Sequence, residues 1–219
     1  MNATSPQSET IAVIGGTGHL GSAIARRLAK AGLRVLIGSR TAEGAAKAAA
    51  ELGYGLIGKQ NADAAQEADI LILTVPFSAQ DATLRDIAPH AAGKLVVDTT
   101  VPLVPPKVMR VQLPAEGSAA MRAHALLGED VKLVSGFHNV AAHKLITNEV
   151  IDCDVLVFGD EKASRDRVVA LAEQMGLRGI HGGALVNSAA AEAMTSVLIF
   201  INKHYGADGA GITLTRIKG

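Results

Sequence analysis

Tryptophan is absent from this chain, and two tyrosines and four phenylalanines bring the aromatic fraction to only 3% of 219 residues. A core so poor in aromatics must be filled by aliphatic side chains. Here Ala, Val, Leu and Ile carry a hydrophobic fraction of 48%, the composition of a parallel sheet covered by helices on both faces. Cysteine is nearly absent too. Cys153 stands alone, which excludes an internal disulfide and a cysteine metal cluster, and it reads as an inert thiol near a strand. Neither sign of charge is in excess, since 21 Lys and Arg balance 21 Asp and Glu. Without a basic run, nucleic acid is excluded as a partner. No apolar stretch approaches the length that spans a bilayer, and residues 1–10 lack the basic and apolar regions of a signal peptide, so the chain is expected to stay in the cytoplasm. Residues 1–9 read as a disordered tail, and residues 10–219 as a single domain with no room for a full-sized second one.

What the chain does contain begins with Gly-Gly-Thr-Gly-His-Leu-Gly at residues 15–21. The apolar run Ile-Ala-Val-Ile precedes it at 11–14, and Ser22 to Leu28 follows with helical spacing. A glycine-rich turn between a strand and a helix N-terminus is built to hold a pyrophosphate, because main-chain N–H groups and the helix dipole both favour negative charge there. In this reading Gly16 permits the tight turn, Gly18 leaves no Cβ between backbone and phosphate, and Gly21 lets the helix approach the strand.

The next strand, 33–38, ends where such folds reach the adenosine ribose. An NAD-binding chain places Asp or Glu at this point. Ser39 and Arg40 stand here instead, and the planar, permanently charged guanidinium suits the 2′-phosphate of NADP.

Short β-type runs continue to alternate with alanine-rich helical stretches, which predicts a Rossmann-like, doubly wound, mostly parallel α/β sheet with a small C-terminal helical extension. Strands are expected at 70–75, 94–98, 131–135 and 155–159, with a helix over 61–68. Residues 99–114 hold four prolines and read as a loop placed to form part of a pocket wall. Residues 184–202 are apolar nearly all round, which predicts a helix buried against the sheet or another subunit.

Ligands of open sheets lie outside the carboxyl ends of the strands. This makes Thr74, Val75 and Pro76 candidates beside the cofactor, together with His138 after the strand at 131–135. His138 reads as a general acid, as a polar group bonding a second substrate, or as a structural histidine. No Asp, Glu or Ser at a telling spacing completes a triad or a metal site around it, and no metal is expected.

Taken together, residues 15–21, Ile37-Gly38-Ser39-Arg40, Leu73-Thr74-Val75-Pro76, Ser135-Gly136-Phe137-His138, Phe158-Gly159-Asp160, and Asn187-Ser188 followed by Glu192 and Thr195 resemble the NADPH-dependent reductases of the deazaflavin coenzyme F-420. The resemblance runs in order from about residue 11 to 212. It implies hydride transfer between C4 of the nicotinamide and C5 of the deazaflavin, needing neither nucleophile nor metal, by a homodimer whose residues from about 130 to 219 complete the substrate site and the dimer interface. It places Gly16, Thr17, Gly18, His19, Leu20 and Gly21 at the pyrophosphate, and Ser39 and Arg40 at the 2′-phosphate. A basic residue expected at Gly44 is missing, and Lys47, about one turn later, is its candidate replacement. Thr74, Val75, Pro76, Ala79 and Ala142 then line the cofactor. His138, as a ligand-positioning donor, falls with Val140 and Thr195 at the deazaflavin. Two other readings use the same scaffold: an NADPH-dependent reductase of a flavin, ferric chelate or quinone, and a non-catalytic NADPH sensor. Lys144 and Asn148 suggest a hydroxyacid or imine dehydrogenase, but the glycine-rich run and helical domain that such a lysine needs are missing, so Lys144 reads as a surface residue.

Overall fold

The computed structural model describes residues 9–217. The tail expected at 1–9 lies outside the described residues except for Glu9, whose carboxylate pairs with Arg167 at 2.6 Å.

Among the described residues, eight strands form one sheet in the order β3-β2-β1-β4-β5-β6-β7-β8. The first six, β1 (Thr10–Ile14), β2 (Arg34–Ser39), β3 (Ile57–Gln60), β4 (Ile70–Leu73), β5 (Leu95–Asp98) and β6 (Lys132–Ser135), are parallel. The last two, β7 (Asp154–Gly159) and β8 (Arg178–Gly183), run parallel to each other and antiparallel to β6. Between the strands lie α1 (His19–Lys30), α2 (Ala42–Leu52), α3 (Asn61–Glu67), α4 (Phe77–Ile87), α5 (Ala119–Leu127), the short α6 (Ala142–Leu145) and α7 (Lys162–Gln174), and α8 (Ser188–Tyr205) closes the order.

Successive side chains of a strand point to opposite faces, so a run buried on both sides feeds two cores. In β1, Ile11 and Val13 join Ile24 and Leu28 of α1 and Val168 and Leu171 of α7 in one core. Ala12 and Ile14 join Ala64, Leu84, Ile87 and Ala120, from α3, α4 and α5, in the other. Each fully buried Ile or Leu contributes about 1.5–3 kcal/mol. From β1 the chain crosses to β2 and β3 on one side and then returns to place β4 on the other, so connections leave β1 and β4 in opposite directions. A crevice opens at this switch point, above the carboxyl ends of both strands.

The doubly wound sheet agrees with the sequence pattern, and the helix over 61–68 is α3. Residues 99–117 form no regular element, as the prolines predict. Two strands carry no clear sequence signal. β3 (Ile-Gly-Lys-Gln) and β8 (Arg-Gly-Ile-His-Gly-Gly) are the two edges of the sheet and are only partly buried, so neither needs an apolar run.

Within the chain, the C-terminal helix is covered on one face only. It opens with a 3₁₀ turn, Leu185–Asn187, and α8 buries only one face, carrying Ser188, Ala191, Glu192, Ser196 and Leu198. Val186, Met194, Val197 and Phe200 stay exposed. The expectation that no stretch reaches bilayer-spanning length is corrected, since residues 185–205 do so by length and composition with a mean hydropathy of 1.3. The polar groups on the inner face are hydrogen-bonded to the rest of the fold, which makes α8 a packing element.

Candidate active site

The turn after β1 has no room for a Cβ at Gly15, Gly16 or Gly21. Gly15 has φ 73°, in the left-handed region that glycine enters without strain, so the tight bend lies one residue before the Gly16 that spacing suggests. At Gly16 a Cβ would stand 2.7 Å from the Val13 carbonyl oxygen, and at Gly21 it would stand 2.4 Å from Thr74 Oγ1 and 2.7 Å from Gly16 Cα. Close packing of α1 on the turn is therefore what Gly21 provides, as expected. Gly18 is the N-cap of α1, with no side-chain cap and no acidic residue in the first turn. The first N–H groups of the helix, including those of His19 and Leu20, are left for an anion. The Leu20 side chain packs on the core.

A cleft of about 300 Å³ opens against this turn, lined by Gly15, Thr17, Gly18, Ser39, Arg40, Asn61, Thr74, Val75, Pro76, Ala79 and Thr83. Eight of the expected cofactor residues therefore meet in one place. None of the lining residues is acidic, and Arg40 stands exposed at the rim. An uncapped helix end, a bare glycine turn and a guanidinium fit the pyrophosphate and 2′-phosphate of NADP. Asn61, just after β3, lines the same cleft, and its Oδ1 accepts from Gly15 N at 3.2 Å, bracing the bend. Lys47 lies elsewhere. Its side chain is 77% exposed, and its ammonium sits 4.0 Å from Glu51, one turn along α2.

A second cleft, of about 430 Å³, lies between α1 and α6 and is lined by His19, Ser22, Ala142, His143 and Ile146. Arg27 holds these helices together. Its guanidinium donates to the carbonyls of Leu145 at the end of α6, of Thr147 and Glu149 after it, and of Met175 after α7, at 2.8–3.0 Å. The Lys144 ammonium pairs with Asp208 at 2.5 Å, in keeping with a surface role.

Between β6 and α6 runs the segment that carries His138. Phe137 is buried with φ 64°, a left-handed conformation that costs a non-glycine residue about 1–2 kcal/mol and that its packed ring holds in place. The bend turns His138 back over β6, so that its Nε2 lies 2.8 Å from Ser135 Oγ. Burial pushes the imidazole pKa down to about 3, so the ring is uncharged at neutral pH. Asn139 is buried beside it and donates from Nδ2 to Ala191 O and Thr195 Oγ1 of α8. Val140 packs in the core, and Val140, His138 and Thr195 all stand outside the linings of the two clefts. Cys153 is buried next to β7, its thiol donates to Asn139 O at 3.3 Å, and burial raises its pKa, in line with an inert group.

One turn of α8 before Thr195, the Glu192 carboxylate accepts from Ala119 N at 2.6 Å and from Ala120 N at 3.1 Å, capping α5. Ser188 Oγ donates to Ser118 Oγ at 2.9 Å, and Ser118 Oγ accepts from Met121 N. These bonds fix how far α8 is rotated, and so where Thr195 sits.

Sequence reasoning passed over Asn61, and it gave no separate role to Ser135, quoted only within a motif, or to Asn139, which closes the candidate segment 136–139 after the strand at 131–135. Ser135 does stand at a telling position, three residues before His138, although the bent loop rather than any motif brings the two together. Asn61 follows a strand, the right place for a functional residue, but that strand is the unremarked edge β3.

Comparison with known proteins gives the family. Residues 10–102 match the family described as "NADP oxidoreductase coenzyme F420-dependent". The chain is 39% identical to the "F420-dependent NADP reductase" of Methanothermobacter thermautotrophicus, covering 94% of this chain and 95% of that protein. It is 38% identical to the protein of the same name from Methanocaldococcus jannaschii, covering 95% and 99%. Among solved structures, one from Arthrobacter sp. FB24 superposes with a TM-score of 0.81 at 23% identity, over 94% of this chain and 99% of that one. A pyrroline-5-carboxylate reductase from Coxiella burnetii superposes with a TM-score of 0.64 at 16% identity, over 91% and 69%. The two structures carry the fold alone, whereas sequence identity of this extent over nearly the whole of both chains means that this protein belongs to the F420-dependent NADP reductase family.

Proposed function

We propose that this protein transfers a hydride between NADP(H) and the deazaflavin coenzyme F-420. The observation that carries the reading is a shared cleft, in which His19 of the dinucleotide turn faces Ala142 of the segment that follows His138. A cofactor held on the turn and a second substrate held by the His138 segment would therefore meet at one end of the sheet.

NADP(H), when bound, supplies or accepts the hydride at its nicotinamide. Main-chain N–H groups around Thr17, Gly18, His19 and Leu20 hold the pyrophosphate, and Gly16 and Gly21 keep that turn close to β1 and β4. Ser39 and Arg40 bind the 2′-phosphate, while Lys47, which does not line the cleft and stands beside Glu51, is left out of that site. Thr74, Val75, Pro76 and Ala79 form the wall facing the ribose and nicotinamide, and Ala142 the opposite one. His138, uncharged, donates a hydrogen bond to the deazaflavin instead of delivering a proton as an acid. Thr195 and Asn139 hold the main chain of that segment, and Val140 supports it from the core. Both redox partners bring their own reactivity, so the protein's contribution is to orient them and exclude water. The exposed apolar residues of α8, Val197 and Phe200 among them, favour a homodimer joined through this helix. Such an enzyme works in the cytoplasm, where both of its substrates are dissolved.

The test is anaerobic NADPH oxidation by the purified protein with F-420, run beside FMN, FAD and ferric chelates and repeated with NADH. Turnover confined to F-420 with NADPH is the expected result. Faster turnover of another acceptor, or NADPH binding with no turnover at all, would overturn it.

A further inference from the structure

Ser135 is fully buried at the end of β6, and its Oγ lies 2.8 Å from Nε2 of His138, itself only 8% exposed. A serine hydroxyl carries one proton and needs one acceptor for it. Among the described residues, Nε2 is the group paired with this hydroxyl. A neutral imidazole has one N–H and one bare nitrogen, and the bond made at one ring nitrogen decides where the proton sits. Were the proton on Nε2, it would point at Ser135 Oγ and leave the buried O–H without an acceptor. That arrangement is disfavoured by roughly ten- to a hundredfold in population.

We infer that Ser135 is a positioning residue: it donates its hydroxyl proton to His138 Nε2 and so fixes the ring as the tautomer protonated at Nδ1, whose N–H is then free to meet an acceptor atom of the second substrate. A carbonyl oxygen or a deprotonated ring nitrogen of a pyrimidine-dione, as in a deazaflavin, is the class of acceptor that such a neutral donor fits. Its surroundings hold the ring in this role. The left-handed bend at Phe137 sets the approach to Ser135, and the Phe158 ring lies 6.3 Å away, tilted against the imidazole. Thr195 donates to the His138 carbonyl at 3.1 Å, so the main chain is held as well. Because burial keeps the ring uncharged, the tautomer and not the charge is what a neighbour can set. The role in substrate binding rests on the proposed reading of His138, whereas the tautomer does not.

Nitrogen-15 NMR of the full-length protein labelled at histidine separates the two. The His138 signals are assigned by their loss in His138→Asn. A protonated Nδ1 and a bare Nε2 are expected in the wild type, with a shift toward the other tautomer in Ser135→Ala. The same variant is expected to raise KM for F-420 by about tenfold with KM for NADPH little changed, and Ser135→Thr, which keeps the hydroxyl, to restore both signals and KM. A wild-type ring protonated at Nε2 overturns the inference whether or not the variants fold, as does an unchanged tautomer in Ser135→Ala. If the tautomer is as inferred but His138→Asn leaves KM for F-420 at its wild-type value, the substrate contact is overturned and the tautomer assignment stands.

Discussion

The Thr195 hydroxyl, on α8, donates to the main-chain carbonyl of His138 at 3.1 Å and accepts from Asn139 Nδ2 at 3.2 Å. One side chain thus holds two consecutive residues of the loop after β6. Thr195→Val keeps the shape and removes both bonds, each contributing about 0.5–1.5 kcal/mol. KM for F-420 is expected to rise by about three- to tenfold, while the NADPH dissociation constant, measured by fluorescence titration, stays as in the wild type. Equal weakening of both would mean that α8 supports the fold and not the loop.

Arg40 stands exposed at the rim of the cleft that also contains Ser39. A charge-assisted bond to a phosphate contributes about 1.5–3 kcal/mol, so Arg40→Ala is expected to raise KM for NADPH by roughly ten- to a hundredfold. NADH lacks the 2′-phosphate and should be used no worse than before. Parallel losses for the two cofactors in steady-state kinetics would show that Arg40 does not contact that phosphate.

A methyl group at Gly21 would sit 2.4 Å from Thr74 Oγ1 and 2.7 Å from Gly16 Cα. The side chain of Thr74 can rotate, but the backbone of Gly16 cannot, so Gly21→Ala pushes the end of α1 off the turn. Overpacking of this kind costs about 1–3 kcal/mol. The melting temperature should fall by about 3–10 °C, and calorimetric NADPH binding should weaken with it. A lower melting temperature with unchanged binding would mean that the helix end keeps its place.

Glu192 is 1% exposed, and its carboxyl is raised from 4.5 to about 7, first by burial and further by the charge of Asp98, against the two N–H bonds from α5 that lower it. Above the ordinary carboxylate range the unfolded chain has lost this proton, while the folded protein still holds it up to about pH 7. The folded state binds more protons across that window, so this group makes stability fall as pH rises through it. The loss amounts to at most about 3 kcal/mol. Asp98, raised to about 6 by burial, acts in the same direction. Urea unfolding of the wild type and Glu192→Gln at about pH 5 and pH 8 measures the effect, and the advantage of the wild type over the variant should shrink at the higher pH. An advantage independent of pH would mean that Glu192 titrates as an exposed carboxylate does.

The parts of the site that sequence made legible are those whose chemistry is local. A glycine turn works through the few residues on either side of it, so 15–21, with the apolar run before and the helical run after, identified the pyrophosphate-type turn. Even there the left-handed bend belongs to Gly15, packed against Val75 and the Thr74 carbonyl after β4, contacts that no spacing within the turn announces. The strands β1 and β4, buried on both faces, announce themselves as apolar runs. The edges β3 and β8 do not, since a half-exposed strand needs no continuous apolar face.

Sequence by itself determined the fold class and singled out the glycine turn and the Ser39–Arg40 pair, because burial patterns and backbone freedom are written into neighbouring residues. Only the tertiary structure decided the rest. Asn61 reaches Gly15 across 46 residues and Thr195 reaches the His138 carbonyl across 57, while Glu192 caps α5 from 73 residues away. Hydrogen bonds depend on distance and angle in space, and no spacing along the chain encodes a distance that the packing of the sheet and helices has yet to set.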